Sequence, residues 1–182
     1  MRVNFGKKTW LFPMPVLILG TYDDNGVPNA MNAAWGGIYD TNKVLVSLSE
    51  HKTTDNLARK AAFTISFATK KTVAASDYVG VVSGRTVGNK IEKAGLHAFP
   101  SEVVDAPLFE EYPVTLECEV DSFEEGILIG NILNVSVDES VLTDGQIDMD
   151  KLEPIAFDPA NGKYVLVKGE VADAFKIGLT LK

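Results

Sequence analysis

The sequence predicts a mainly β protein, with antiparallel strands closed into a Greek-key-like barrel and short helices inserted between them. Three observations lead there. Apolar, β-branched runs of strand length recur along the chain, as in Val16–Tyr22, Lys43–Ser49 and Ala62–Ala68. Tight-turn residues separate many of them, notably Asn25-Gly26, Glu124-Glu125-Gly126 and Asn161-Gly162; adjacent residues that tolerate positive φ mark hairpins. Helical stretches are few and short, and closing several antiparallel units into a barrel removes exposed strand edges.

Taken in order, VLILGTY (16–22) runs into Asp23-Asp24-Asn25-Gly26, and the return strand extends from Val27 to about Trp35. A turn at Asp40-Thr41-Asn42 leads into KVLVSLS (43–49), so the first fifty residues read as a three-stranded meander. Thr53 or Thr54 can cap a short helix that Asp55 begins, because a hydroxyl accepts from orphan helix N–H groups. After AFTISFA (62–68), short helices are expected over about Thr72–Val82 and Val87–Ala94, the second stopped by Gly95. Beyond Pro113, VTLECEV and ILIGNILNVSV form long strands. A loop at Thr143-Asp144-Gly145 precedes KLEPIAF, Asn161-Gly162 turns into KYVLVKG, and Glu170–Lys182 reads as a weak helix or a tail.

The 182 residues fit one domain, 1–182, with 46% hydrophobic and 23% charged residues. A net charge of −8 without a basic stripe argues against nucleic acid and anionic lipid as partners. The amino-terminal residues do not resemble a secretion signal, and no run of about 18 apolar residues suggests a membrane span. A cytoplasmic protein is the expectation. The one cysteine, Cys118, lies between Leu116 and Val120 in strand pattern and reads as a small buried hydrophobe.

The common catalytic constellations are missing from the sequence. Two histidines, His51 and His97, have no metal-pair spacing, and there is no G-x-S-x-G, P-loop or dinucleotide glycine motif. Gly80, Gly84 and Gly88 read as loop punctuation. Any chemistry then belongs to a bound cofactor.

Two segments stand out. Asn29-Ala30-Met31-Asn32-Ala33-Ala34-Trp35 is poor strand sequence. Its small side chains would let a flat ligand reach the backbone, and its asparagines add donors and acceptors. The same composition suits an edge strand packed under a helix, and Trp35 suits a core anchor. Ser47-Leu48-Ser49-Glu50-His51-Lys52-Thr53-Thr54-Asp55-Asn56 leaves a strand and enters a helix with hydroxyls, a lysine and free N–H groups. That combination suits a phosphate, or equally a capped helix with a solvated lysine. Lys90 could add a second cation, although a lysine on a short helix is usually exposed.

In this order, P-x-P-V-L-I-L-G-T-Y-D-D-N-G-V-P-N-A-M-N-A-A-W-G-G, V-S-L-S-E-H-K-T-T-D-N, S-D-Y-V-G-V-V-S-G with Asn89-Lys90 beyond it, L-E-C-E-V and D-G-Q-I-D-M-D-K-L-E-P-I resemble the flavin reductase-like, FMN-binding split-barrel family of flavoredoxins and ferric reductases. The resemblance covers nearly the whole chain. It implies a split barrel, a homodimer and one FMN per subunit near the subunit interface. Asn29, Ala30, Met31, Asn32 and Ala33 would line the isoalloxazine, with Trp35 supporting the wall. Ser47, Leu48 and Ser49 would run under the ribityl chain. Lys52, Thr53 and Asn56 would take the phosphate, and Ser83, Gly84 and Lys90 match the later motif.

Three departures bear on function. Lys52 stands where relatives often have arginine, keeping the charge without the bidentate fork. Asn32 stands where threonine is common. Glu125 and Asn131 fall where many relatives have a histidine and the glutamate of G-E-V. The resemblance implies hydride transfer from NADH or NADPH to FMN, then electrons passed to flavin, ferric or protein acceptors. An FMN electron-transfer carrier without NAD(P)H activity is the alternative, favoured by the missing histidine; a flavin-binding or storage module is the third.

Overall fold

The computed structural model describes residues 1–181. In chain order the elements are β1 (Met14–Pro15), β2 (Leu17–Tyr22), β3 (Pro28–Ala33), β4 (Gly36–Asp40), β5 (Lys43–Ser47), α1 (Lys52–Leu57) and β6 (Ala62–Phe67). They continue with α2 (Val73–Val81), α3 (Lys90–Lys93), β7 (Ala98–Pro100), β8 (Pro107–Phe109), β9 (Val114–Glu124) and β10 (Ile127–Val137). The last are β11 (Leu142–Thr143), β12 (Gln146–Ile147), α4 (Met149–Leu152), β13 (Ile155–Asp158) and β14 (Lys163–Leu166).

Seven strands form one antiparallel sheet in the order β3-β2-β6-β9-β10-β5-β4. Its two edge strands, β3 and β4, are separated in sequence only by Ala34 and Trp35. The sheet therefore curls until its edges meet at that corner, and the Trp35 carbonyl already accepts from Ser47 N at 2.7 Å. This corrects the expected three-stranded meander. The segment 28–40 breaks in two; β3 pairs with β2, and β4 pairs with β5. Gly36 sits where the chain changes partners, and a Cβ there would lie 2.9 Å from Leu17 Cδ1 and from the Leu45 carbonyl.

The predicted turns form. Gly26 takes φ 74°, and Asp23 accepts from Asn25 N and Val27 N to hold the β2–β3 hairpin. Between β9 and β10, Glu125 and Gly126 both have positive φ (51° and 80°), as a two-residue type I′ turn requires. Gly126 receives the Leu48 N–H on its carbonyl at 2.7 Å.

The run Leu17–Leu19 is apolar throughout because the sheet is buried on both faces. Leu17, Leu19, Met31, Val46, Phe63, Ile65, Leu116 and Leu128 fill the inside of the curl, and Cys118 joins them with no exposed surface. Ile18 and Ala30 point the other way, into a second core with Val79, Leu96, Phe109, Tyr112 and Ile155. That outer core packs α2 against the sheet. Each such Leu, Ile or Phe contributes about 1.5–3 kcal/mol by leaving water. The carboxy-terminal residues from 167 to 181 are exposed, ending in a 3-10 turn, Ile177–Leu181, and the last residue of the expected tail lies outside the described residues. No helix among the described residues is long and apolar enough to cross a membrane.

Candidate functional site

Helix α1 starts at Lys52, with His51 as its cap, three residues before the expected start. Thr54 does not cap the helix but reaches back from its first turn. Its hydroxyl accepts from His51 N at 2.9 Å and donates to the His51 carbonyl at 2.8 Å. This places Lys52 and Thr53 beside strand β3. Asn29 donates its amide to Thr53 Oγ1 at 2.8 Å, and Asn56 donates to Thr21 Oγ1 at 2.9 Å, so both asparagines pin the helix to the β2–β3 hairpin.

Helix α2 packs on the same edge strand. Asn32 Nδ2 donates to the Ser76 carbonyl at 3.1 Å, and Ser76 Oγ pairs with the Tyr112 hydroxyl at 3.0 Å. A Cβ at Gly80 would lie 3.0 Å from Asn32 Cβ, so glycine sets this helix–strand distance. A Cβ at Gly84 would crowd Asn29 Oδ1 and lie 3.3 Å from Lys52 Cγ. These two glycines line a wall, contrary to their reading as loop punctuation; only Gly88 of the three faces open space.

Helix α3 is shorter than expected, Lys90–Lys93, because Val87 N donates to Ser83 O and Thr86 Oγ1 donates to the same carbonyl, forming a turn instead. It carries Lys90 inward. Only 5% of Lys90 is exposed, and its ammonium donates to the Ala30 carbonyl at 2.7 Å. Burial lowers its pKa to about 8. The expected exposed lysine is thus a buried cation under the asparagine strand. Lys52 is half-buried and sits 3.4 Å from Asp23, whose carboxyl is held low by the Val27 N–H first and by Lys52 among lesser causes.

Together these groups enclose a cleft of about 180 Å³ between β3, the start of α1, the end of α2 and α3. Asn29, Met31, Asn32, Lys52, Thr53, Ser83, Gly84 and Lys90 line it. The other expected residues do not. Ala30 and Leu48 lie in the two cores, Ala33 is buried within the curl, and Asn56 is spent on Thr21. Ser47 ends β5, Ser49 is exposed and bonds His51 Nε2 at 3.0 Å, and Trp35 is 56% exposed at the barrel corner. His51, Gly80 and the valines at 79, 81 and 82 complete the lining. His51 and Gly80 lay within the quoted motifs, but neither residue type alone signals a ligand wall. Arg85, at the rim, grips Asp55 through two hydrogen bonds of 2.8 and 2.7 Å. That pairing holds the Asp55 carboxyl below its usual range.

The fold and the cleft have known counterparts. Flavoredoxin of Desulfovibrio vulgaris (Miyazaki F) is 37% identical, the match covering 98% of this chain and all of that one, with a TM-score of 0.93. Flavoredoxin from Methanosarcina acetivorans is 25% identical over the whole of both chains, with a TM-score of 0.89. A split-barrel domain structure from Shewanella frigidimarina, at 18% identity, shares the fold, with a TM-score of 0.76 over 89% of this chain and 86% of that one. The model of the flavin reductase like domain matches residues 9–156. The chain is a split-barrel protein and belongs to the flavin reductase-like domain family.

Proposed function

We propose that the cleft binds FMN and that the protein is an FMN-dependent oxidoreductase. The observation that carries this reading is the convergence of two lysines, Lys52 and Lys90, on one small cleft of a chain with net charge −8. An acidic protein that gathers its cations around amide and hydroxyl donors is suited to an anionic ligand. The donor set fits. Asn29 is held at the wall by the buried Thr53 hydroxyl, and glycine at 84 leaves room for a bulky anion against Lys52. Membership of the family and likeness to the two flavoredoxins support flavin as the ligand.

FMN held here would supply the acceptor for a hydride from NADH or NADPH and a donor of electrons to flavin, ferric or protein acceptors. The chain's own contribution is positioning and electrostatics. Lys52 and Thr53 anchor the anionic end, the small residues of β3 let a flat ring approach, and the Lys90 ammonium beneath β3 offsets negative charge that builds on the ligand. At about 180 Å³ the cleft holds one end of such a ligand. A homodimer would enclose the rest, and exposed Trp35, Ile38 and Tyr39 at the barrel corner supply an apolar surface for it.

The test is to purify the protein, record its visible spectrum and add NADH or NADPH without oxygen. Flavin absorption that bleaches within seconds supports the reductase. Flavin that persists, yet yields to dithionite, assigns the protein as an electron-transfer carrier or a flavin-storage module instead. A colourless protein that takes up no added FMN overturns the cofactor.

A further inference from the structure

Helix α1 and the turn after α2 flank the end of the cleft at Lys52, and one ion pair joins them there. Arg85 donates two hydrogen bonds to Asp55, from Nε to Oδ2 at 2.8 Å and from Nη2 to Oδ1 at 2.7 Å. The guanidinium fork and the carboxylate meet edge to edge, a geometry that fixes orientation as well as distance. The two residues are 30 apart in sequence, so the pair ties together separate segments.

Both backbones that carry the pair are anchored. The Asn29–Thr53 and Asn56–Thr21 hydrogen bonds, at 2.8 and 2.9 Å, pin the turn of α1 that bears Asp55. On the other side Ser83 shapes its own turn. Its hydroxyl accepts from Arg85 N at 3.2 Å, and its carbonyl accepts from Thr86 N and from Thr86 Oγ1, each at 3.1 Å. An exposed ion pair commonly contributes little because it must order two free side chains. Here the contact is bidentate and the backbones are already held, so the pair acts as a crossbar. Its side chains are 43% and 39% exposed, so removing either one strands no buried charge.

Lys52, Thr53, Ser83 and Gly84 line the cleft, and Asp55 and Arg85 lie just beyond them on the same two segments. The segments are already close at that point, since a Cβ on Gly84 would lie 3.3 Å from Lys52 Cγ. We propose that the Arg85–Asp55 crossbar closes the wall behind the ligand's phosphate and so restricts the site to flavins that end in a phosphate monoester. This rests on the FMN reading above; the flavin rejected is FAD. A ligand whose phosphate continues into a second phosphate and a nucleoside has to part Arg85 from Asp55. Because Asp55 neutralises Arg85, the pair adds no net attraction for phosphate, and its part is steric. The two residues determine specificity without touching FMN.

The test is calorimetric titration of the full chain, freed of flavin, with FMN and with FAD. Wild type is expected to prefer FMN by about tenfold or more. In Arg85→Ala and in Asp55→Ala the preference should fall to about threefold or less through a gain in FAD affinity, with FMN affinity held within about twofold. The double variant should match either single one, because each substitution alone already removes the crossbar. A preference unchanged in both single variants overturns the crossbar. A loss of FMN affinity of about tenfold in Arg85→Ala but not in Asp55→Ala makes Arg85 a phosphate ligand and also overturns it. Equal affinity of wild type for the two flavins overturns the size limit while leaving FMN binding intact. Failure of wild type to bind FMN at all overturns the cofactor and this inference together. The wild-type comparison needs no variant, so the misfolding of one substitution leaves a decisive result.

Discussion

Asn29 and Thr53, 24 residues apart in sequence, share a 2.8 Å hydrogen bond that fastens the edge strand of the barrel to the helix carrying Lys52. Gly84 packs over the other side of the same asparagine, leaving no room there for a methyl group. Gly84→Ala should therefore push Asn29 and Lys52 aside. Overpacking of this kind costs about 1–3 kcal/mol. Spent at the anionic end of the cleft, it should weaken FMN binding about tenfold or more, measured by fluorescence titration. The far-UV circular dichroism should be unchanged.

Lys90 links the cleft to pH. Its folded pKa of about 8 lies below the ordinary 10.5 because burial disfavours the charged form. Unfolded lysine therefore binds more protons than folded lysine between those values, and stability rises with pH across that window. The cost of burying the charge is full below about pH 8. Lys90→Met should raise the melting temperature at pH 7, and the gain should shrink as pH approaches 10. FMN affinity should fall several-fold in wild type between pH 7 and 9 as the ammonium is lost, and stay level in Lys90→Met. Titrations at the two pH values check this.

Strand β4 presents Ile38 at 73% exposure and Tyr39 at 57% beside Trp35. Ile38→Glu places a charge in the centre of that apolar surface, and burying it unpaired is costly. Sedimentation should show wild type as a dimer at micromolar concentration and Ile38→Glu shifted to monomer, with thermal unfolding still cooperative. FMN affinity should fall with the dimer.

Cys118 has no exposed surface, and burial first, then Glu117, pushes its thiol pKa up to about 12. Thiolate, not thiol, reacts with disulfide reagents. Native protein should leave the reagent unreacted, and labelling should appear only along the denaturant unfolding curve. Fast labelling without denaturant would contradict the packing inside the curl.

The strands and turns were legible because each is a local matter. Asn25-Gly26 and Glu125-Gly126 specify hairpins through their own φ preferences, and Cys118 announces its burial through apolar neighbours. The parting of β3 from β4 was not legible. Nothing in Ala33-Ala34-Trp35-Gly36 says that the next strand belongs to the far edge, because the partner of β4 is set by sheet curvature. The cleft shows the same division. Asn29, Asn32, Lys52 and Thr53 stood out by residue type. The inward turn of Lys90 and the wall made by Gly80 and Gly84 depend on packing between distant segments. Asn56 looked like a ligand donor by type, but its amide is committed to Thr21.

The corner at Ala34 and Trp35 also bears on how the chain can fold. The hairpins β2–β3 and β4–β5 adjoin each other in sequence, yet their hydrogen-bonded connection through the sheet runs by way of β6, β9 and β10. Those bridging strands are supplied by residues 62 to 137. A ribosome delivers the amino-terminal pair first; β2–β3 then gains β6 as its neighbour, but β6 and β5 have nothing on their far sides until the long β9–β10 ribbon has emerged. Such non-local pairing slows folding, commonly to milliseconds or longer. The nascent chain thus carries two half-finished edges through most of its synthesis, and β9–β10 is the segment whose arrival closes the barrel.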